Sequence, residues 1–208
     1  MTDTYRTVAG EASAAFEIEG SEFVGYVAPV DTVAEAEAFI EQVESRHADA
    51  THNVPAYRVP AGEASADRPG EVMLREYASD DGEPTGSAGK PALNVLQQQE
   101  IQNVVAVVTR YYGGTNLGVG GLARAYARGV KDAVAEAGVV EERPHRTLSI
   151  VTDYDDSGTV RGILESADVE FEADYDERVS FSVRVAVEAV SQLEERLNDA
   201  TSGRVEIE

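Results

Sequence analysis

Alternating hydrophobic and polar positions predict five extended segments in the first half of the chain. Most are bounded by Gly, Pro, Asn or Asp, the residues that favour turns. A tight turn is predicted at Gly20 and Ser21, and the polar segment 61–70 is predicted to be a loop. The last segment, rich in valine, is typical of a buried strand. The five segments are 14–20, 22–30, 52–60, 71–78 and 103–112.

Apolar residues at helical spacing predict three helices in the same part of the chain. The first covers Thr32 to about His47, with Asp31 as its N-cap. A short helix is predicted to begin at Pro91, because proline is favourable in the first turn. The third has an apolar stripe from Leu122 onward, and Gly138 is the residue that ends it.

A charged run that contains Pro144 separates these elements from a shorter, regular part of the chain. There the pattern is strand, helix, strand, strand, helix, strand, which is the βαββαβ order of a ferredoxin-like domain. Two domains are therefore predicted, residues 1–143 and residues 144–208. The fold class is predicted to be α+β, with the ferredoxin-like domain at the C-terminus.

Composition narrows the class of protein. Hydrophobic residues make up 42% of the chain and are spread along it, which is typical of a globular protein. No apolar run approaches the roughly 18 residues that a membrane helix needs, and the N-terminus lacks the pattern of a secretory signal. Without cysteine there is no disulfide and no thiolate metal site. We expect a cytoplasmic protein that does not contact a membrane, with no cofactor or metal indicated and no prediction of oligomeric state.

The charge balance is strongly acidic, with 39 Asp and Glu against 17 Lys and Arg and a net charge of −22. The acids are spread along the chain and do not form a tail. Lysine occurs only at Lys90 and Lys131. Such a composition is typical of halophilic proteins, whose acidic surface keeps them soluble in a salty cytoplasm. A given Asp or Glu is therefore interpreted first as a surface residue.

One segment departs from this acidic composition. Residues 101–131 contain no Asp or Glu, although about six would be expected at the chain's frequency of 39 in 208. A buried strand and the inner face of a helix explain part of the difference. The glycine-rich loop and the outer helix face are not expected to be buried, so burial does not explain why they lack acids. At about 100° per residue, Arg124, Arg128 and Lys131 lie on one side of the helix, opposite the apolar stripe.

These cations and glycines predict an anion-binding site. Arg110 ends the strand that leads into the loop, and the glycines allow backbone N–H groups to approach a ligand at the positive end of the helix. A phosphate, a carboxylate or a nucleic-acid backbone fits such a site. A tight strand-to-helix connection with solvated arginines is the alternative. The predicted residues are Lys90, Arg110, Gly113, Gly114, Gly118, Gly120, Gly121, Arg124 and Arg128.

Other motifs fit their consensus less well, and no catalytic residue is predicted. Residues 118–123 match a loose dinucleotide fingerprint, but residues 111–117 separate them from the preceding strand. The segment 84–91 resembles a phosphate-binding P-loop but has proline at both ends. The carboxylates of the Asp80–Glu83 segment offer oxygens to a hard cation, and a turn explains them about as well.

Two long motifs carry a family resemblance. "SDDGEPTGSAGKP" and "VVAVVTRYYGGTNLGVGGLARAYARGV" resemble the conserved blocks of the IMPACT/YigZ family, as do the shorter "SEFVGYVAPV" and "DATHNVPAYRV". The resemblance covers essentially the whole chain. It implies an N-terminal domain like the second domain of ribosomal protein S5, followed by the ferredoxin-like module of the bacterial YigZ type. It also implies that the loop Asp80, Asp81, Gly82 and Glu83 borders the anion site.

The resemblance implies a role in translation, because eukaryotic IMPACT is linked to restraining the starvation-activated kinase of an initiation factor, and YigZ-type members are thought to bind nucleic acid or ribosomes. The first hypothesis is therefore a non-enzymatic RNA- or ribosome-binding protein of translation regulation. The second is a nucleotide- or phosphate-handling enzyme that uses the same glycine-rich loop, with Asp80 or Asp81 holding magnesium. A third is a protein-interaction module without a small ligand.

Overall fold

The computed structural model describes residues 4–61 and 73–207. The chain divides into two compact units. The larger is Thr4–Glu142 and the smaller begins at Arg143. Both mix helices with antiparallel strands, which confirms the predicted α+β class. Among the described residues, no helix combines the length and the apolar character needed to cross a membrane.

The larger unit is built on a five-stranded antiparallel sheet in the order β2-β3-β6-β4-β5, with a separate pair β1-β7. Its strands are β1 (Tyr5–Val8), β2 (Ala12–Ile18), β3 (Ser21–Pro29), β4 (His52–Pro60), β5 (Leu74–Ala78), β6 (Val104–Tyr111) and β7 (Val139–Glu142). Its helices are α1 (Val33–Arg46), α2 (Gly89–Gln98) and α3 (Gly118–Ala137).

The central strand β6 is buried on both faces because helices cover both sides of the sheet. Its side chains at 104, 106 and 108 join one cluster with residues of α2 and α3. Those at 105 and 107 join another with residues of α1. Alternating side chains of a strand point to opposite faces, so a continuous run of Val and Ala is what this position requires.

Two glycines allow α3 to lie directly on the sheet. A Cβ added to Gly25 would lie 2.1 Å from the Gly129 carbonyl oxygen, and one added to Gly129 would lie 2.8 Å from Val108 Cγ1. A larger residue at either position would therefore push the helix away from the strands. This close approach places the N-terminal half of α3 over the end of β6, where the predicted site lies.

The smaller unit has the ferredoxin-like βαββαβ topology that the sequence predicts. Its sheet order is β11-β8-β10-β9, with every neighbouring pair antiparallel. One face packs on the two helices through a core that includes Phe181, Leu164 and Leu197. The elements are β8 (His145–Thr152), α4 (Tyr154–Ser166), β9 (Glu170–Tyr175), β10 (Val179–Ala186), α5 (Val190–Thr201) and β11 (Glu206–Ile207).

Three predicted boundaries need correction. The first hairpin turns at Glu19 and Gly20, both at positive φ, and Ser21 already belongs to β3. The N-cap of α1 is Thr32, whose hydroxyl accepts from the Glu35 N–H, whereas the Asp31 carboxylate accepts from the Asn103 side chain. Local sequence did not separate these two good caps, because Asn103, just before β6, decides between them.

The second helix begins at Gly89, two residues before the predicted start at Pro91. Proline lacks only a backbone N–H, and the first-turn N–H groups have no partner within a helix in any case. The predicted loop 61–70, apart from Ala61, lies outside the described residues, as do the first two residues of the strand predicted at 71–78.

Candidate functional site

The loop before α2 is organised by the Asp80 carboxylate. Its Oδ1 accepts from the backbone N–H groups of Ala88 and Gly89 at 3.0 and 2.9 Å, and its Oδ2 accepts from that of Gly86 at 2.7 Å. Partial burial raises the pKa of Asp80, but these three hydrogen bonds outweigh it, so the pKa is lowered overall. The carboxylate therefore occupies the N-terminus of α2, the position that a phosphate takes in a P-loop.

The next two residues fold the loop back onto β4. Asp81 and Gly82 have φ of +43° and +83°, a left-handed turn in which glycine is favoured at the second position. Asp81 Oδ2 accepts from the Asn53 N–H at 2.6 Å, and the Asp81 carbonyl lies 2.6 Å from His52 Nδ1. A carbonyl oxygen only accepts, so His52 Nδ1 carries the hydrogen.

Glu83 is buried beneath α3 and holds two donors on one oxygen. Its Oε1 accepts from Arg110 Nη1 at 2.6 Å and from the Tyr126 hydroxyl at 2.8 Å. The side chains of Glu83 and Arg110 are each only 5% exposed. Burial, and then the hydrogen bond to Glu83, raise the pKa of Tyr126 far above its usual value. Tyr126 therefore stays protonated and keeps donating to the carboxylate.

Arg110 connects this ion pair to the glycine-rich loop. Its Nη2 donates to Ser21 Oγ at 3.3 Å, and the same oxygen accepts from the Gly113 N–H at 3.1 Å. The guanidinium carbon lies 5.4 Å from the ring centre of Phe23 and 5.2 Å from that of Tyr112. Arg110 thus lies in the interior, where Glu83 compensates its charge and two aromatic rings enclose it.

The glycines of the loop serve different purposes. Gly113 is packed on the first hairpin, since an added Cβ would lie 1.9 Å from the Gly20 carbonyl oxygen. Gly114 and Gly118 adopt positive φ, which shapes the loop. Gly121 packs on Leu117, with 2.9 Å from an added Cβ to the leucine Cβ. Gly120 has no backbone close by and is exposed.

The N-terminus of α3 is open. Its N-cap Leu117 makes no side-chain capping hydrogen bond, and the first three residues of α3, 118–120, are exposed. Arg124 is exposed and, within 4–61 and 73–207, has no hydrogen bond or ion pair. An added Cβ on Gly120 would lie 3.5 Å from Arg124 Nη1, so the guanidinium folds back along the first turn.

The other predicted cations differ from Arg124. Arg128 Nε pairs with Asp132 Oδ2 at 3.0 Å, and the Arg128 guanidinium carbon lies 4.2 Å from the ring centre of Phe16. Lys90 is exposed at the start of α2 and, like Arg124, has no partner among the described side chains. Its backbone is helical although Pro91 follows it. Arg128 is thus paired with an acid, whereas Arg124 and Lys90 have no acidic partner among the described residues.

The predicted site residues fall into two groups. Glu83 and Arg110 meet in the interior, where Tyr126, which was not predicted, also binds Glu83. Arg124 lies about 200° round the helix from Tyr126, so it points away from this cluster. The structure therefore brings the Asp80–Glu83 loop to Arg110, and it does not bring Arg110 to Arg124.

Several contributing residues were absent from the prediction, namely Ser21, His52 and Tyr126 in the interior cluster. The available signal was Arg110 itself, because an arginine at the end of an apolar strand needs a carboxylate when it is buried. A second hydrogen-bonded chain on the α1 face was also missed. There His47 links Tyr26 and Tyr111 at 2.6 and 2.8 Å, and Tyr111 donates to Asp49.

Comparisons with known proteins agree on the family. The model of the Impact N-terminal domain matches residues 19–134, and a model described as a domain of unknown function (DUF1949) matches 150–204. The chain is 36% identical over 208 residues to IMPACT family member YvyE of Bacillus subtilis, covering 100% of this chain and 91% of that protein. The chain belongs to the IMPACT family.

Two further comparisons cover nearly the whole chain. IMPACT family member YigZ of Escherichia coli is 32% identical over 192 residues, which is 92% of this chain and 90% of that protein. A solved structure described as the crystal structure of an hypothetical protein aligns with a TM-score of 0.69 at 31% identity, covering 100% of this chain and 97% of that one. Both units therefore have counterparts in one relative.

Proposed function

We propose that this IMPACT family protein is a non-enzymatic RNA- or ribosome-binding protein of translation regulation, and that it binds phosphate at the start of α3. The observation that carries the proposal is Arg124. Its guanidinium, which has no partner within the described residues, lies beside Gly120, at a helix N-terminus whose first residues are exposed and lack a side-chain cap. Backbone N–H groups and a guanidinium together bind phosphate oxygens well.

The surrounding charge favours an anion at this position. Residues 101–131 contain no Asp or Glu in a chain of net charge −22. Lys131, on the same helix, is exposed and has no partner within the described residues. A polyanion that approaches another part of the surface is repelled by its acids. Electrostatic repulsion is therefore weakest at this acid-free segment.

Tyr112 adds a surface on which a base can stack. Its side chain is 45% exposed, at the start of the glycine-rich loop. Its hydroxyl donates to Asn116 and the Arg110 guanidinium lies near its ring, so the ring is held in place from two sides. A positioned aromatic ring, here in the loop that leads to the phosphate-binding groups, is typical of proteins that bind unpaired nucleotides. This supports RNA over a small anion as the ligand.

A nucleotide- or phosphate-handling enzyme is the weaker proposal. The Asp80 carboxylate already accepts three backbone hydrogen bonds, and Asp81 Oδ2 accepts one from Asn53. Within the described residues, no group of three or more acidic or histidine side chains is arranged to hold a metal ion. Arg110 is also held by Glu83. The carboxylates and the arginine that such an enzyme would use are thus already bonded to other groups of the protein.

The test is the affinity of Arg124→Ala for ribosomes and for a single-stranded RNA. We expect about a ten- to hundredfold loss, because a charged hydrogen bond to phosphate contributes about 1.5–3 kcal/mol. The stability should change little, since Arg124 is exposed and has no partner in the part of the chain that the structure describes. Binding should also weaken steeply with salt.

Arg75→Ala is the matched control. Arg75 is an exposed arginine of β5, outside the acid-free segment, and has no partner within the described part of the chain. Its removal changes the net charge equally, so a general charge effect would weaken both variants alike. Equal RNA binding by wild type and Arg124→Ala would overturn the proposed site.

A further inference from the structure

The free edge of the C-terminal sheet carries an inference separate from α3. β9 is the last strand in the order β11-β8-β10-β9 and pairs with β10 on one side. No strand within 4–61 and 73–207 pairs with its other side. The backbone N–H and C=O groups along that side are those to which a strand of another molecule can bond.

The two faces of β9 differ in chemistry. Glu170, Glu172 and Asp174 point away from the helices, are exposed, and have no ion pair or hydrogen bond among the described residues. Alternate residues of a strand lie about 7 Å apart, so the three carboxylates form an evenly spaced row. On the other face, Phe171 and Ala173 pack against the core, and Tyr175 is 50% exposed.

Some carboxylates around this sheet have an arginine partner. Asp153 pairs with Arg178, and Asp156 makes two hydrogen bonds of 2.8 Å with Arg204. Arginine therefore compensates some acids of the smaller unit, whereas Glu170, which lies opposite Arg184 in the register with β10, makes no ion pair with it. The row is available to cations from outside.

The open face of this sheet does not suit RNA. Its two central strands present small hydroxyl side chains, Ser149 and Ser182, in register with Glu172. Sheets that bind RNA stack bases on aromatic side chains, and Ser149 and Ser182 beside the acidic row offer no ring. The acidic row would also repel phosphate. A cationic ligand fits it better.

We propose that β9 binds a basic, extended protein segment as an added strand. Lys or Arg at every second position of that segment lies opposite Glu170, Glu172 and Asp174. Its intervening apolar residues pack beside Phe171 and Tyr175, and its backbone bonds to the free edge. A basic, extended segment is the expected ligand because its charge complements the acidic row and because both strands repeat every two residues.

Protection of the edge against aggregation is the competing explanation, since charged side chains on an edge strand discourage pairing. The two explanations predict different behaviour towards peptides. Protection predicts only general attraction of cations. Strand addition requires that the cations alternate, because consecutive residues of a strand point to opposite faces.

The test uses the full chain and two soluble peptides of the same composition at low salt. In one, four lysines alternate with three valines; in the other, the lysines form a block. We expect the alternating peptide to bind and the block peptide to bind at least several-fold more weakly. Hydrogen exchange at the β9 amides should slow on binding of the alternating peptide, while exchange in α5 stays unchanged.

A matched pair of triple variants identifies the carboxylates. Glu170→Gln, Glu172→Gln and Asp174→Asn together should weaken binding of the alternating peptide roughly tenfold. Glu194→Gln, Glu195→Gln and Asp199→Asn remove the same charge from α5 and should leave it nearly unchanged. Equal binding of both peptides, no binding of either, equal loss in both variants, or unprotected β9 amides would each overturn the proposal.

Discussion

The two units cover their sheets differently. The five-stranded sheet has a hydrophobic cluster on each face, one formed with α2 and α3 and the other with α1. The four-stranded sheet has one cluster, on the side of α4 and α5. A sheet buried on both faces shields its central strand from water along its length, and a sheet buried on one face leaves alternate side chains exposed.

The two units also differ in that only the larger has a fully buried ion pair among the described residues. The larger unit encloses Glu83 and Arg110, each 5% exposed. The smaller unit keeps its pairs at the surface, for example Arg143 with Glu188, at 58% and 51% exposure. A buried pair loses hydration, so its members depend on each other, whereas each member of an exposed pair is solvated by water when alone. The units should therefore respond differently to loss of one partner.

The largest expected effect comes from Glu83→Ala. It leaves Arg110 buried without a carboxylate and removes the acceptor of the Tyr126 hydroxyl. We expect a loss of about 3–5 kcal/mol in the free energy of unfolding of the larger unit. Urea denaturation followed by circular dichroism would measure it.

Glu188→Ala, which breaks the exposed pair, should cost the smaller unit only about 0–1 kcal/mol. If the domains predicted at 1–143 and 144–208 unfold independently, Glu83→Ala will separate two transitions. Cleavage by limited proteolysis within 141–147 that leaves two resistant fragments would support that boundary. Equal costs of the two substitutions would contradict the comparison between the units.

Asp80→Ala should have an intermediate effect. It removes the acceptor of three backbone N–H groups at the start of α2. Loss of a helix cap costs about 1–2 kcal/mol. Because the pKa of Asp80 is lowered in the folded state, its contribution is fully present above its ordinary value of 3.8 and is lost as the pH falls through the lower, folded value.

The difference in stability between wild type and Asp80→Ala should therefore be constant near neutral pH and shrink below about pH 4. Denaturant titrations at a series of pH values would show this. Glu37→Ala, an exposed residue of α1 without a partner in the described chain, removes the same charge and is the control. A difference that persists unchanged at pH 2 would mean that the charge of Asp80 is not what stabilises the loop.

The smallest effect concerns salt and the surface pairs of the smaller unit. Hydrogen bonds from Arg204 lower the pKa of Asp156, so the pair favours the charged carboxylate. We expect Asp156→Asn to lower the melting temperature slightly at low salt, and the difference from wild type to vanish near 1 M, where the Debye length is about 3 Å. The neighbouring Asp155→Asn removes a charge that has no partner among the described side chains and is the control.

In the same salt series, the melting temperature of the wild type should climb with potassium chloride. Repulsion among the acids of a chain with net charge −22 destabilises the folded state until salt screens it. A melting temperature independent of salt would remove the interpretation of the composition as halophilic.

Much of the fold could be predicted because local periodicity reports burial. The continuous apolar run of β6, the apolar stripe of α3 with its end at Gly138, and the βαββαβ order all follow from which positions avoid water. Errors occurred where two residues were equally good locally, as with Asp31 and Thr32.

The candidate site was less predictable, and Arg110 shows why. The sequence marks it as a cation next to a glycine-rich loop, and so does Arg124. Nothing in the local sequence indicates that Arg110 is buried and Arg124 exposed, because the partner of Arg110 lies 27 residues away in the loop before α2. The glycines were equally ambiguous, since Gly113 packs against the first hairpin whereas Gly120 is exposed.

The sequence by itself thus determined the order of the elements, the apolar faces, the acidic surface and the segment free of acids. Only the tertiary structure decided which charges meet: Asp80 with the start of α2, Glu83 with Arg110, and no partner for Arg124 within the described residues. The physical reason is that burial depends on the type and spacing of neighbouring residues. The pairing of charges depends on distances that arise only when separate segments have packed together.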